Sequence, residues 1–132
     1  MSQGEESTLN TWAFVSDLFL RAKVEGLARE AGVAVRFFAQ PDALVRELDA
    51  STAGPALVLL DLGDAAARGF AVLEAFAARP PDAAPTPPVL AFFSHVDLAT
   101  KQRAVALGAT RVVPRSQFVT RFASLVREVS AT

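Results

Sequence analysis

The sequence predicts an α/β protein: one parallel five-stranded sheet with helices on both faces. Three observations predict it. Short continuous apolar runs (Ala13 to Val15, Leu57 to Leu60, Val89 to Phe93) suit strands buried on both faces of a parallel sheet. The segments between them carry apolar residues at helical spacing. The two patterns alternate, strand then helix, five times over, and such alternation implies right-handed crossovers and a parallel sheet. At 132 residues, 52% hydrophobic and 20% charged, the chain suits one domain able to bury a core without staples.

The start, Met1 to Asn10, is polar and acidic, with neither the basic nor the apolar region of a secretory signal. Residues 1–11 are therefore expected as a disordered polar tail, and 12–132 as a single domain. The first strand runs from Trp12 to Ser16 and ends against Asp17. Leu20, Val24, Leu27, Ala28 and Ala31 then share one helical face, and Gly32 is the stop. Val33 to Phe38 makes the second strand, interrupted by Arg36. A helix over Pro41 to Ser51 leads to the third strand, Leu57 to Leu60, which ends at Asp61. Phe70 to Ala78 is the third helix. Arg79 to Pro88 holds five prolines and reads as a long loop, because a domain boundary there would leave neither half with a full core. Val89 to Phe93, ending at Ser94, is the fourth strand, and Ala99 to Leu107 the fourth helix. Arg111 to Pro114 runs into Arg115. Phe118, Phe122, Leu125, Val126 and Val129 mark a final helix, with Ser116 as its N-cap. The chain ends at Thr132, and the expectation is a stand-alone module without an output domain.

Composition excludes several functions. A net charge of -1, with Lys and Arg scattered, gives no footprint for nucleic acid. The absence of cysteine excludes disulfides and thiolate metal sites and fits a cytoplasmic location. No apolar run approaches the roughly 20 residues a membrane span needs. Hydrolase chemistry has little support, since the one histidine, His95, adjoins Ser94 and no Gly-x-Ser-x-Gly elbow exists.

What remains is the set of polar residues that end strands: Asp17, Asp61, Ser94 and Arg115. Ligands of open parallel sheets bind beyond the carboxyl ends of the strands, so residues distant in sequence can meet there. Two carboxylates, a hydroxyl and a cation suit a phosphoryl group and a divalent metal. Simpler roles exist for each. Asp17 can cap a helix, Arg115 can be a surface cation, and serine commonly follows a strand. Asp61 is harder to dismiss, because an acid ending a buried run must be exposed or paired. The phenylalanines at 14, 37, 38, 92 and 93 read as core.

Five strand–helix repeats with acids after strands one and three resemble the receiver domain of bacterial two-component response regulators, from about Trp12 to Val129. The segment Leu59-Leu-Asp-Leu-Gly-Asp-Ala-Ala-Ala-Arg-Gly69 keeps the family's acid followed eight positions later by glycine. Ser94 stands where the family has Thr or Ser, and Leu107-Gly-Ala109 leads into strand five as its Ala-Gly-Ala does. The resemblance implies a flavodoxin-like sheet in the order 2-1-3-4-5 with five helices. It implies Asp61 as phosphoacceptor, with Asp17, Asp61 and the backbone carbonyl of Gly63 as ligands of a weakly held Mg²⁺. Ser94 would bond a phosphoryl oxygen and couple it to loop movement, and Arg115 would supply the cation. A non-enzymatic signalling protein in a phosphorelay is implied. Its partners would be a sensor histidine kinase or phosphotransfer protein and a downstream protein. A homodimer would use the face of helix four, strand five and helix five, where Val105, Val112 and Val119 lie.

The sequence departs from the family at several positions. Ser16 replaces one of two adjacent acids, and His95 replaces a small residue. Arg115 replaces a lysine and lacks the following proline, and Val112 replaces an aromatic. These departures favour a second reading, a pseudo-receiver that signals without aspartyl phosphate. A flavodoxin-like cofactor binder ranks last, because Ser16-Asp-Leu-Phe-Leu20 lacks the glycines of a phosphate cradle.

Overall fold

The five apolar runs form one all-parallel sheet in the order β2-β1-β3-β4-β5. A computed structural model describes residues 9–63, 68–94 and 97–132. Its strands are β1 (Leu9–Phe14), β2 (Val33–Phe38), β3 (Leu57–Asp61), β4 (Val89–Phe93) and β5 (Arg111–Pro114). The helices are α1 (Leu18–Ala31), α2 (Pro41–Ala50), α3 (Arg68–Ala77), α4 (Leu98–Ala106), α5 (Arg115–Thr120) and α6 (Phe122–Ser130).

Every residue of β3 and β4 is buried, because both strands lie inside the sheet with helices over each face. Alternate side chains therefore feed two cores. Phe14, Val58, Leu60 and Phe93 pack beneath α2 and α3, against Leu44, Leu48, Phe70 and Leu73. Ala13, Leu59, Leu90 and Phe92 face the other way, toward Val24 of α1 and Phe118, Leu125 and Val129 of α5 and α6. The edge strand β2 alternates in exposure instead. That explains Arg36 in its middle: the guanidinium pairs with Glu47 at 3.3 Å and lies 4.7 Å from the centre of the Phe38 ring.

Beyond shifts of one or two residues at element ends, three sequence-based readings change. The first strand begins at Leu9 rather than Trp12, since Leu9, Asn10 and Thr11 pair with Val33, Ala34 and Val35. A polar-looking stretch joins the sheet because backbone pairing does not need apolar side chains. Of the disordered tail expected over 1–11, residues 9–11 are strand and residues 1–8 lie outside the described residues. The final helix is divided at Arg121 (φ -119°, ψ 27°), giving six helices rather than five among the described residues. Apolar spacing continues across this break because the Arg121 amide still bonds Gln117 O and the Leu125 amide still bonds Arg121 O. Lastly, Pro114, not Ser116, stands at the N-cap of α5. Ser116 already lies in the helix, where its carbonyl accepts from Thr120 Oγ1 at 3.0 Å.

The proline-rich stretch is a connection within one sheet. Arg79 anchors its start, pairing with Asp49 of α2 and bonding the carbonyl of Ala84 at 3.0 Å. Among the described residues, no helix is long and apolar enough to cross a membrane.

Candidate functional site at the carboxyl edge of the sheet

Strand order reverses between β1 and β3. The chain leaves β1 toward β2 on one side and returns to β3 on the other, so loops diverge there and open a crevice at the carboxyl ends. Asp61 is the last residue of β3, and Ser16 and Asp17 follow β1. Both acids therefore border this crevice.

Asp61 is only 6% exposed and is held by hydrogen bonds on both oxygens. Its Oδ1 accepts the backbone N–H of Gly63 at 2.8 Å. Its Oδ2 accepts Ser16 Oγ at 3.1 Å and, at 3.4 Å, the Ser16 backbone N–H. A buried carboxylate is tolerated only with such partners. Ser16, read in the sequence as the loss of an acid, thus contributes a donor. Strand register carries the signal that finds it: Phe14 pairs with Leu60, so residues just past Phe14 run beside Asp61.

Gly69 explains the glycine eight positions after the acid. A Cβ there would collide with the carbonyl oxygen of Asp61 and fall 3.0 Å from its carbonyl carbon. Only glycine lets the first turn of α3 approach the end of β3 so closely. Gly63 is crowded too, since a Cβ would fall 3.0 Å from Ser94 Oγ and 3.2 Å from Asp61 Oδ1. The Ser94 hydroxyl and the Asp61 carboxylate therefore border the same small space. A cavity of about 270 Å³ opens beside it, lined by Leu62, Gly63, Phe93, Ser94, Asp97 and Thr100. His95, the residue read as crowding the entrance, lies outside the described residues. A second cavity, of about 440 Å³, lies away from these groups between α2 and α3, with Val45, Ala71 and Ala75 in its lining.

Asp17 does two things. Its Oδ1 caps α1, accepting the amides of Phe19 at 2.8 Å and Leu20 at 3.2 Å, and its Oδ2 accepts Arg115 NH2 at 2.9 Å. The Arg115 hydrogen bond is the foremost cause that holds the Asp17 carboxyl below the usual Asp pKa, with the Leu20 and Phe19 amides and the Arg115 charge adding to it. Arg115 thus joins the site through Asp17. The sequence-predicted residues fall into two groups: Asp61 with Gly63, bordered by Ser94 and joined by Ser16, and Asp17 with Arg115.

A divalent cation takes carboxylate oxygens with open lone pairs. Here all four oxygens of Asp17 and Asp61 accept protein donors. A guanidinium sits against one of them, and the Gly63 N–H donates to another. Among the described residues, no group of three His, Cys, Asp or Glu side chains is placed to hold a metal. Among the described residues, these donor-occupied carboxylates do not fit a resident Mg²⁺.

No protein-family model matches the sequence, and no curated protein matches it. Solved structures do match. The response regulator receiver protein from Burkholderia phymatum superposes with a TM-score of 0.73 at 22% identity, covering 92% of this chain and 95% of that one. The response regulator receiver domain from Rhodospirillum rubrum gives 0.71 at 24% identity, covering 92% and 94%. A putative response regulator from Chloroflexus aurantiacus gives 0.77 at 18% identity, covering 94% and 99%. Over nearly its whole length, the chain has the fold of a response-regulator receiver domain.

Proposed function

We propose that this chain is a receiver-type signalling module, acting through a protein partner, in which Asp61 accepts a phosphoryl group. The observation that carries the proposal is the buried Asp61 carboxylate, at the end of the central strand and at the switch point of the sheet, ringed by hydrogen-bond donors.

In this reading a carboxylate oxygen of Asp61 attacks the phosphorus of a donor such as acetyl phosphate. A P–O bond to Asp61 forms as the P–O bond to the leaving group breaks, and the leaving group departs with the electron pair. Positioning and charge neutralisation dominate such transfers. The Gly63 N–H and the Ser94 hydroxyl lie on one side of the carboxylate and Ser16 on the other, where they can bond phosphoryl oxygens. Arg115 supplies positive charge at Asp17, its ion-pair partner. Leu18 and Phe19, 77% and 89% exposed on the first turn of α1, give a protein partner an apolar foothold beside the same edge. The α4 face offers Leu98 and Val105, both exposed, whereas Val112 is in the core and cannot contribute to a dimer there.

Mass spectrometry after incubation with acetyl phosphate, comparing wild type with Asp61→Asn, tests the proposal. A phosphoryl adduct in wild type alone supports it; no adduct, or the same adduct in Asp61→Asn, refutes it.

One observation favours a second reading, the pseudo-receiver. Both oxygens of Asp17 and of Asp61 already accept protein donors, so the carboxylates are hydrogen-bonded without a phosphoryl group. In that case wild type stays unmodified and Asp61→Asn binds the partner as tightly as wild type. A flavodoxin-like nucleotide site fits less well, because the Asp17 carboxylate fills the anion seat at the start of α1.

A further inference from the structure

We infer that this chain's own side chains take the place of a divalent cation at the site, with Ser16 serving Asp61 and the Arg115 guanidinium serving Asp17. The inference rests on the reading of this edge as the functional site and deepens it. Each carboxylate oxygen has two lone pairs. Asp17 Oδ1 gives both to the amides of Phe19 and Leu20. Asp61 Oδ2 gives both to the amide and hydroxyl of Ser16. One lone pair remains on each carboxylate. On Asp17 it belongs to the oxygen that Arg115 NH2 already holds at 2.9 Å, so an entering dication would meet a like charge at ion-pair distance.

The arrangement has a structural consequence. A bound metal comes and goes with its concentration, but Arg115 is fixed by the backbone at the junction of β5 and α5. The positive charge at Asp17 is then permanent, and it ties the start of α5 to the start of α1. The hydrogen-bonded state of the two carboxylates becomes independent of divalent metal.

Mn²⁺ is the probe, read by electron paramagnetic resonance and calorimetry on the full chain. Wild type is expected to show no saturable Mn²⁺ binding at this site. Ser16→Asp with Arg115→Ala restores an acid and removes the guanidinium. It should gain a site at least about tenfold tighter than wild type, within the range by which groups around metal ligands change affinity. Adding Asp61→Asn should abolish the gain. Arg115→Ala alone should gain a smaller part, and Arg115→Lys should gain least, because it keeps the charge. The single variants carry the test if circular dichroism shows the double variant unfolded. Wild-type Mn²⁺ binding that is lost in Asp17→Asn and Asp61→Asn overturns the inference, as does a folded double variant that binds no better than wild type. The readout does not depend on phosphorylation. A wild type that neither binds Mn²⁺ nor accepts a phosphoryl group would refute the phosphoacceptor reading and leave this inference standing.

Discussion

Arg115 and Asp17 stand 98 positions apart in the sequence, yet the guanidinium NH2 donates to Asp17 Oδ2 at 2.9 Å. This one contact joins the first turn of α5 to the N-cap of α1. It makes Asp17 a residue with two separable functions, capping through Oδ1 and ion pairing through Oδ2.

Asn is as good an N-cap as Asp, so Asp17→Asn should remove the ion pair and keep the cap, whereas Asp17→Ala should remove both and destabilise more. Thermal melts across pH separate them. The Asp17 carboxyl is depressed in the folded state, foremost by the Arg115 hydrogen bond. Its contribution is therefore complete above the unfolded value, about pH 4, and disappears as the pH falls through the lower folded value. The stability gap between wild type and Asp17→Asn should be largest near neutrality and close in acid. Because both side chains are more than a third exposed, salt should shrink it as well. A gap that persists unchanged in acid would refute the ion-pair role.

The same substitution at two glycines should act in opposite directions. Gly69→Ala forces a methyl against the Asp61 carbonyl, and overpacking of this kind costs about 1–3 kcal/mol. Gly26 lies in the interior of α1, and a Cβ there would meet nothing within 4 Å, so Gly26→Ala should stabilise by about 0.5–1 kcal/mol. Urea unfolding curves measure both. Equal signs would show that the approach of α3 to β3 is looser than the distances indicate.

Phe118 is fully buried, stacked on Phe92 at 4.1 Å between ring centres and met edge-on by Phe122 at 5.5 Å. Phe118→Ala should cost about 3–5 kcal/mol, a large share of the roughly 5–15 kcal/mol that holds a domain of this kind together. Phe118→Leu should lose less. A small effect of Phe118→Ala in denaturant melts would mean that α5 is not anchored by this ring.

Ser16→Ala should cost about 1.5–3 kcal/mol, the net worth of one hydrogen bond to a charged group, toward the lower end since the Ser16 amide still reaches Asp61. In Asp61→Asn the same substitution should cost a different amount, because the acceptor is no longer a carboxylate. A double-mutant cycle on the two positions reads their coupling, and zero coupling would contradict the Ser16 Oγ to Asp61 Oδ2 bond.

Most of the fold is legible in the chain because it is written in local pattern. Val89 to Phe93 is a strand within the bounds its apolar run sets, Gly32 ends α1 with φ 72°, and the parallel sheet follows from alternation and handedness, its order from the family resemblance. Local pattern is silent elsewhere. Leu9 to Thr11 join β1 through main-chain pairing, which no side-chain pattern reports, and the turn at Arg121 changes one residue's dihedrals without disturbing the buried face. The site divides the same way. Asp17, Asp61, Ser94 and Arg115 stand out as polar ends of apolar runs, and the spacing of Asp61 and Gly69 is visible in the sequence, though the close approach of α3 to the Asp61 carbonyl that requires it is not. Only tertiary structure decided which partner each group took. Ser16 became a donor to Asp61, and Arg115 went to Asp17. Residue type sets what a side chain can donate or accept, whereas the choice among partners is set by strand register and helix placement, which depend on packing across the whole sheet.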